Sequence, residues 1–236
     1  VGSEMCIRDR SDYYAELSKK ENIKIITLNE PFNYSRFNNI AAGYAAGTQL
    51  LFLNNDIEAV SENWIQEMLM YSQRNDVGAV GAQLRYPDKT LQHCYLITGA
   101  GPHKVAIHAG LGLFEGDYGY LDRIGFVRDV SAVTGACLMV KKDIFDKIGG
   151  FDEKLSVAYN DVDICLKIRN EGYGIIYTPY ARLIHYESCT RGRDSKDSNR
   201  RRLDAEAEYI KNKWKDKLID RYYNANFSTD REGMLR

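Results

Sequence analysis

Three absences narrow the class of this 236-residue chain before any motif is read. Charge of one sign is missing: 32 Lys and Arg stand against 33 acids, a formal net of -1, so no global field draws the chain to nucleic acid or an anionic membrane. Long apolar runs are missing too, none nearing the ~20 residues that a bilayer crossing requires. The five cysteines (Cys6, Cys94, Cys137, Cys165, Cys189) lie far apart with no CxxC pair, which speaks against a zinc site or disulfide framework and for a reducing cytoplasm. What is present is 44% hydrophobic and 28% charged residues, a globular profile, in a length that suits one domain with a sizeable core.

Val1 to Arg10 has neither an apolar stretch nor a small-residue cleavage site, so it has no targeting character. It reads as a translated sequencing-library adaptor joined to a truncated reading frame, with a natural frayed terminus as the alternative. On the first reading the natural start is missing. From Ser11 on, apolar runs alternate with helical patterns. A helix end (Ser11 to Lys20) precedes a β-branched strand (Ile23 to Leu28), and a small-residue helix (Phe37 to Ala46) closes at Gly47. Leu50 to Leu53 reads as a strand buried on both faces, and Ser61 as the cap of a helix carrying Trp64, Met68 and Tyr71 at core spacing. Val77 to Leu84 is a further strand, followed by a turn at Tyr86-Pro87-Asp88.

Gly99 to Tyr120 is glycine-rich, with His103 and His108 scattered in it, and reads as a functional flap. Regular structure resumes at Val130 to Val140, with helices at Asp143 to Ile148 and Asp161 to Asn170 and strands at Ile175 to Thr178 and Arg182 to Tyr186. Leu203, Ala207, Ile210, Trp214 and Leu218 mark an amphipathic terminal helix. The alternation predicts an α/β domain with a mostly parallel central sheet flanked by helices. The expected divisions are an adaptor-like segment at 1–10, a catalytic-type domain at 11–200 and a helix and tail at 201–236.

Three polar clusters sit at ends of these elements. Asn54-Asn55-Asp56 follows a buried strand, where ligands of open sheets bind, although N-N-D is also a common turn. Asn160-Asp161-Val162-Asp163 opens a helix, where acids also serve as dipole-compatible caps. His185 ends a strand, before Glu187, Ser188 and Arg191. A carboxylate and an imidazole converging from two strand ends suit a hard divalent cation, Mn²⁺ or Mg²⁺, with open positions for phosphate oxygens. Asp161 is then left to accept a proton.

The runs F-N-N-I-A-A-G-Y-A-A-G-T-Q-L-L-F-L-N-N-D, V-G-A-V-G-A-Q-L-R-Y-P-D-K-T-L-Q-H, V-T-G-A-C-L-M-V, G-G-F-D-E, N-D-V-D-I-C-L-K-I-R, Y-T-P-Y-A and H-Y-E-S-C-T-R-G together resemble family 2 glycosyltransferases of the GT-A fold. The likeness is greatest to the bacterial rhamnosyltransferase-like branch that builds surface polysaccharides. It runs from about Asn22 onward and includes D-R-Y-Y-N-A-N-F-S, with Arg221 where a proline is usual. The resemblance implies that Asp56 binds a metal bridging the donor diphosphate, with Asn54 in place of the first acid. It implies that His185 completes the metal site and that Asp161 is the catalytic base. Asn39, Asn54, Thr134, Gly135 and Arg191 are implied on the donor side, Asn160 and Asp163 on the acceptor side.

The implied reaction is transfer with inversion, from a nucleotide-diphospho-sugar to a saccharide or lipid-linked acceptor. The helix dipole is expected to keep Asp161 ionised. No nucleic acid is implied. The run Arg191 to Arg202, six Lys or Arg against two Asp, suits phosphate or a membrane surface as well as a solvated linker. Other domains of a larger enzyme are an expected partner, and the cytoplasm or inner membrane face the expected location. A non-catalytic sugar-binding module and a nucleotidyltransferase remain the competing readings.

Overall fold

The computed structural model describes residues 11–186 and 197–230. Helix α1 (Ser11–Leu17) leads into an irregular stretch, and Asn33 then starts α2 (Tyr34–Tyr44) by accepting the Arg36 N–H on its side-chain oxygen. The strand expected at Ile23 to Leu28 does not form: the segment is neither helix nor strand, and no ladder includes it among the described residues. β-Branched residues there face solvent at several positions, and without a pairing edge the sequence preference does not make a strand.

Strand β1 (Gln49–Leu53) sends Leu50 and Phe52 to one core and Leu51 and Leu53 to another. After β2 (Ile57–Ala59) comes α3 (Trp64–Ser72). Ser61 is not its cap: that position falls to Asn63, and the Ser61 hydroxyl accepts the Arg182 N–H at 2.9 Å. Strand β3 (Val77–Arg85) is buried as far as Leu84, and the turn after Tyr86 folds β4 (Leu91–His93) back along it. A hairpin of β5 (Leu96–Thr98) and β6 (Ala106–His108) stands apart as a second sheet. The remaining elements are β7 (Arg128–Asp129), β8 (Cys137–Lys141), α4 (Lys142–Lys147), α5 (Asn160–Asn170), β9 (Gly174–His185) and α6 (Asp197–Trp214).

The main sheet has the order β1-β8-β3-β9-β2, with β4 added to β3 and β7 to β9. Among the described pairings only β3 with β9 is parallel, which corrects the expected mostly parallel sheet. Strands β1, β3 and β9 do share one direction, as the alternating pattern requires. Strand β8, however, lies between β1 and β3 and runs against both. No crossover helix precedes it: the chain arrives from the long excursion after β4 at the opposite end of the sheet, so the βαβ rule does not govern its direction. The two strands expected near the end are one, β9, whose register against β3 skips Pro179 to Ala181, where proline has no N–H for a ladder.

Apolar side chains fill both faces of the sheet. One core gathers α2, α4, α5 and α6, with Phe52, Phe145 and Phe151 packed ring against ring. The other gathers α3 under Met68, Trp64 and Leu69. Helix α6 starts at Asp197, so a division after residue 200 falls inside it, and its Ala207 and Ile210 belong to the first core. Among the described residues no helix is long and apolar enough to cross a membrane.

Candidate active site

The chain leaving β1 is held by the Asn54 N–H, which donates to the Ala136 carbonyl at 2.9 Å. Pairing of β2 with β9 then sets Ile57 against His185, and the Tyr186 N–H donates to the Asp56 carbonyl at 2.9 Å. Two strand ends therefore meet. His185 Nε2 lies 3.1 Å from Asp56 Oδ1 and 3.4 Å from Asn54 Nδ2. The other ring nitrogen, Nδ1, lies 2.6 Å from Gln92 Oε1 on β4. An amide oxygen only accepts, so Nδ1 carries hydrogen.

That proton placement has a consequence. A neutral ring turns the Nε2 lone pair on the carboxylate lone pairs of Asp56, so a cation, either a proton or a metal ion, belongs between them. One oxygen and one nitrogen donor fit Mn²⁺ or Mg²⁺, and Gln92 is the outer partner that fixes such a histidine. Among the described residues no group of three or more His, Cys, Asp or Glu side chains gathers to hold a metal. The pair alone cannot close a shell, which leaves room for ligand oxygens.

Asp161 is tied to Gly135, the neighbour of the Ala136 that holds the Asn54 N–H. Its Oδ2 accepts the Gly135 N–H at 3.2 Å, its Oδ1 accepts the Val162 N–H at 2.8 Å, and Thr134 adds a side-chain bond. The Tyr34 hydroxyl donates to the Gly135 carbonyl at 2.7 Å, gripping the same residue from the other side. Tyr159, just before α5, has a left-handed backbone (φ 58°), a strained conformation of the kind that accompanies functional sites. Burial raises the Asp161 carboxyl above its ordinary value. The Gly135 N–H, the neighbouring His108 and the Val162 N–H oppose that rise without cancelling it. Desolvation thus outweighs the hydrogen bonds that favour the charged form of this carboxyl. Burial and the nearby Asp161 also hold the Tyr34 phenol far above its usual range, so it stays a donor.

Several expected site residues turn out to be occupied elsewhere. Asn39 accepts the Phe151 N–H at 2.8 Å and donates to the Phe151 carbonyl and Glu153, so it braces a loop rather than facing a donor. Asn160 is buried and donates to the Val157 carbonyl at 3.0 Å, inside the loop and not toward an acceptor. Asp163 is fully buried against α6, accepting Trp214 Nε1 and lying beside Lys213 Nζ, both at 2.7 Å. Its place two residues after Asp161 puts it on another helix face, which is why it cannot serve the acceptor side. Arg191, with Glu187 and Ser188, lies outside the described residues. Sequence reading missed Gln92, His93 and Tyr34. The first two were visible only as the last letters of the run D-K-T-L-Q-H, and Tyr34 carried no signal.

Comparison with known proteins bears on family and fold. A family model described as "Glycosyl transferase family 2" matches residues 6–149. A protein named y4gI from Sinorhizobium fredii is 38% identical over 231 residues, covering 96% of this chain and 25% of that protein. The O-antigen biosynthesis protein RfbC of Myxococcus xanthus is 38% identical over 174 residues, covering 72% of this chain and 13% of RfbC. An N-acetylglucosaminyl-diphospho-decaprenol L-rhamnosyltransferase of Mycobacterium tuberculosis is 34% identical over 67 residues, 28% of this chain and 22% of that enzyme. The chain thus spans a quarter or less of the length of these relatives. Among solved structures, GalNAc-T7 with UDP, GalNAc and Mn²⁺ superposes with a TM-score of 0.64 at 14% identity, over 89% of this chain and 40% of that one. The mannosyltransferase PcManGT of Pyrobaculum calidifontis, in complex with GDP-Man and Mn²⁺, gives 0.51 at 15% identity, over 80% and 46%.

Proposed function

This chain belongs to glycosyl transferase family 2 and has the GT-A fold, and from that premise we propose that it moves a sugar, with inversion, from a nucleotide-diphosphate donor to a hydroxyl of a saccharide or lipid-linked acceptor. The observation that carries the reading is the Asp56–His185 pair, steadied by Gln92, at the end of a segment whose Asn54 is bonded to Ala136, next to the Gly135 that Asp161 holds. Asp56 and His185 would hold a divalent cation. When bound, that ion supplies positive charge against the developing diphosphate. Relatives named for O-antigen biosynthesis and for rhamnosyl transfer to a diphospho-decaprenol support a role in surface polysaccharide assembly, as one part of a longer protein.

In this reaction the acceptor oxygen attacks the anomeric carbon while the bond from that carbon to the diphosphate oxygen breaks. Asp161 takes the hydroxyl proton as the attack proceeds. A carboxylate raised above its usual value is a better match to that task than an ordinary one, and such general-base help contributes ~10²–10⁴-fold. The Gly135 and Val162 N–H groups fix the direction of its oxygens. Tyr34 and His93, from α2 and β4, hold the 134–135 peptides that Asp161 leans on. A single base with in-line displacement inverts the sugar.

The test is release of nucleoside diphosphate from a panel of nucleotide sugars, with Mn²⁺ and a short-tailed N-acetylglucosaminyl diphosphate as acceptor. Asp161→Asn is expected to abolish release and leave donor binding within about twofold, since it removes only the proton acceptor. Asp56→Ala is expected to weaken Mn²⁺-dependent donor binding. Binding without release in the unaltered protein would replace the reading by a non-catalytic module.

A further inference from the structure

The glycine-rich excursion after β4 reaches both backbone supports of Asp161. Its strand β5 joins the segment that carries Gly135: the Leu96 N–H donates to the Ala132 carbonyl at 2.8 Å. The turn between β5 and β6 carries His103, which stands between groups from two other parts of the fold. Its Nε2 lies 2.9 Å from Asp204 Oδ1 on α6. Its Nδ1 lies 3.2 Å from the Tyr159 hydroxyl, and the two rings meet edge to face at 6.5 Å and 69°. A carboxylate oxygen accepts, so Nε2 carries hydrogen. Burial, with Asp161, Asp204 and Glu206 nearby, pushes the Tyr159 phenol up to about 12, so it keeps its hydrogen and gives it to Nδ1. The bonds run one way, from Tyr159 through His103 to Asp204.

Tyr159 joins this chain of bonds to Asp161. Its left-handed backbone is a conformation that a bulky residue holds only where its surroundings fix it. Its carbonyl accepts the Asp163 N–H at 2.9 Å and so closes the first turn of α5, the turn that carries Asp161. A shift of Tyr159 therefore shifts Asp161 against the Gly135 N–H that its carboxylate holds. We propose that His103 is a positioning residue for the Asp161 base: by tying the Tyr159 hydroxyl to Asp204 it sets the turn that aims Asp161 at the acceptor hydroxyl. The glycine-rich excursion thereby takes part in the reaction without touching the reacting atoms through this residue. The proposal rests on the glycosyl-transfer reading and names what keeps its base in place.

His103→Ala is expected to lower kcat for nucleoside diphosphate release roughly tenfold and to leave the nucleotide-sugar KM within about twofold, because the tie acts on the proton acceptor. Tyr159→Phe keeps the ring and loses only the hydroxyl, and it is expected to lower kcat by a similar factor. The double variant is expected to lose no more than either single one, since both remove the same bond. His103→Gln puts an amide acceptor and an amide donor in place of the two ring nitrogens and is expected to recover most of the rate. Unchanged kcat in the single variants, effects that multiply in the double variant, or no recovery with glutamine would overturn the role. Circular dichroism identifies an alanine variant that has not folded, and Tyr159→Phe then decides. Independently of turnover, the Gly135 amide hydrogen, held by Asp161 Oδ2, is expected to exchange with solvent faster in Tyr159→Phe than in the unaltered protein. Equal exchange would overturn the positioning. Absence of nucleoside diphosphate release from the unaltered protein would instead remove the glycosyl-transfer reading, and the effect on its base with it, while the exchange would still show whether Tyr159 and His103 hold Asp161 in place.

Discussion

Asp161 shows what a buried carboxylate does to the protein around it. Its folded-state pKa is raised by burial, so the group is harmless to stability below the ordinary carboxylate value of ~3.9 and becomes unfavourable as pH climbs through its folded value. Asparagine does not ionise. Thermal unfolding of Asp161→Asn and of the unaltered protein, compared from pH 4 to pH 8, is therefore expected to shift in favour of the variant as pH rises. A difference in Tm independent of pH would show that the carboxylate is not desolvated. The same rise moves the acid limb of the rate profile: turnover is expected to fall at a higher pH than an unperturbed aspartate would give.

At the scale of elements, the support of that residue comes from a helix distant in sequence. Glu206 of α6 is buried, and it accepts the Ser156, Val157 and Ala158 N–H groups and the Ser156 hydroxyl at 2.7–3.3 Å. The loop it captures leads straight into Tyr159 and Asp161. Two further ties come from the same helix. Asp204 lies 2.9 Å from His103 Nε2, whose Nδ1 lies 3.2 Å from the Tyr159 hydroxyl. Lys213 bridges Asp152 and Asp163, and with Tyr209 it holds the Asp152 carboxyl down at about 2 although burial alone would raise it. Glu206→Ala would leave several amide hydrogens without an acceptor. It is expected to cost about 3 kcal/mol or more in denaturant unfolding and to lower turnover more than donor binding. Stability within about 0.5 kcal/mol of the unaltered protein would mean that water replaces the carboxylate.

Much of this framework was legible in the chain. Leu50 to Leu53, Val77 to Leu84 and the helix from Asp161 to Asn170, stopped by Gly172, announce themselves by apolar spacing and glycine stops. Asp56, His185 and Asp161 stand out because reactive side chains occupy element ends. Sequence does not reveal whom a polar side chain faces: Asn39, Asn160 and Asp163 are of site-like types yet satisfy internal partners, while Gln92 and His93 look like ordinary strand residues. The direction of β8 was equally hidden, since it depends on where a long excursion returns.

Across the whole molecule, two cores meet through a sheet whose strands approach its helices and loops very closely. A Cβ added at Gly81 in the centre of β3 would lie 2.5 Å from Val133 Cβ, and one at Gly78 would lie 2.3 Å from Ile168 Cγ2. Neither space exists. Gly81→Ala is expected to destabilise the fold by about 1–3 kcal/mol, measured by chemical denaturation. Because Val133 precedes Thr134, the same change is expected to lower turnover. A variant as stable and as active as the parent would mean that the sheet yields freely at this point.

The grip of α6 on the loop before Asp161 sets a rule for anyone who would recombine this unit with others. A graft cut at the end of β9 would strand a buried aspartate without its lysine and tryptophan, and leave a row of amides reaching for a vanished carboxylate. Segments can be exchanged between relatives only if the last long helix travels with the loop it holds.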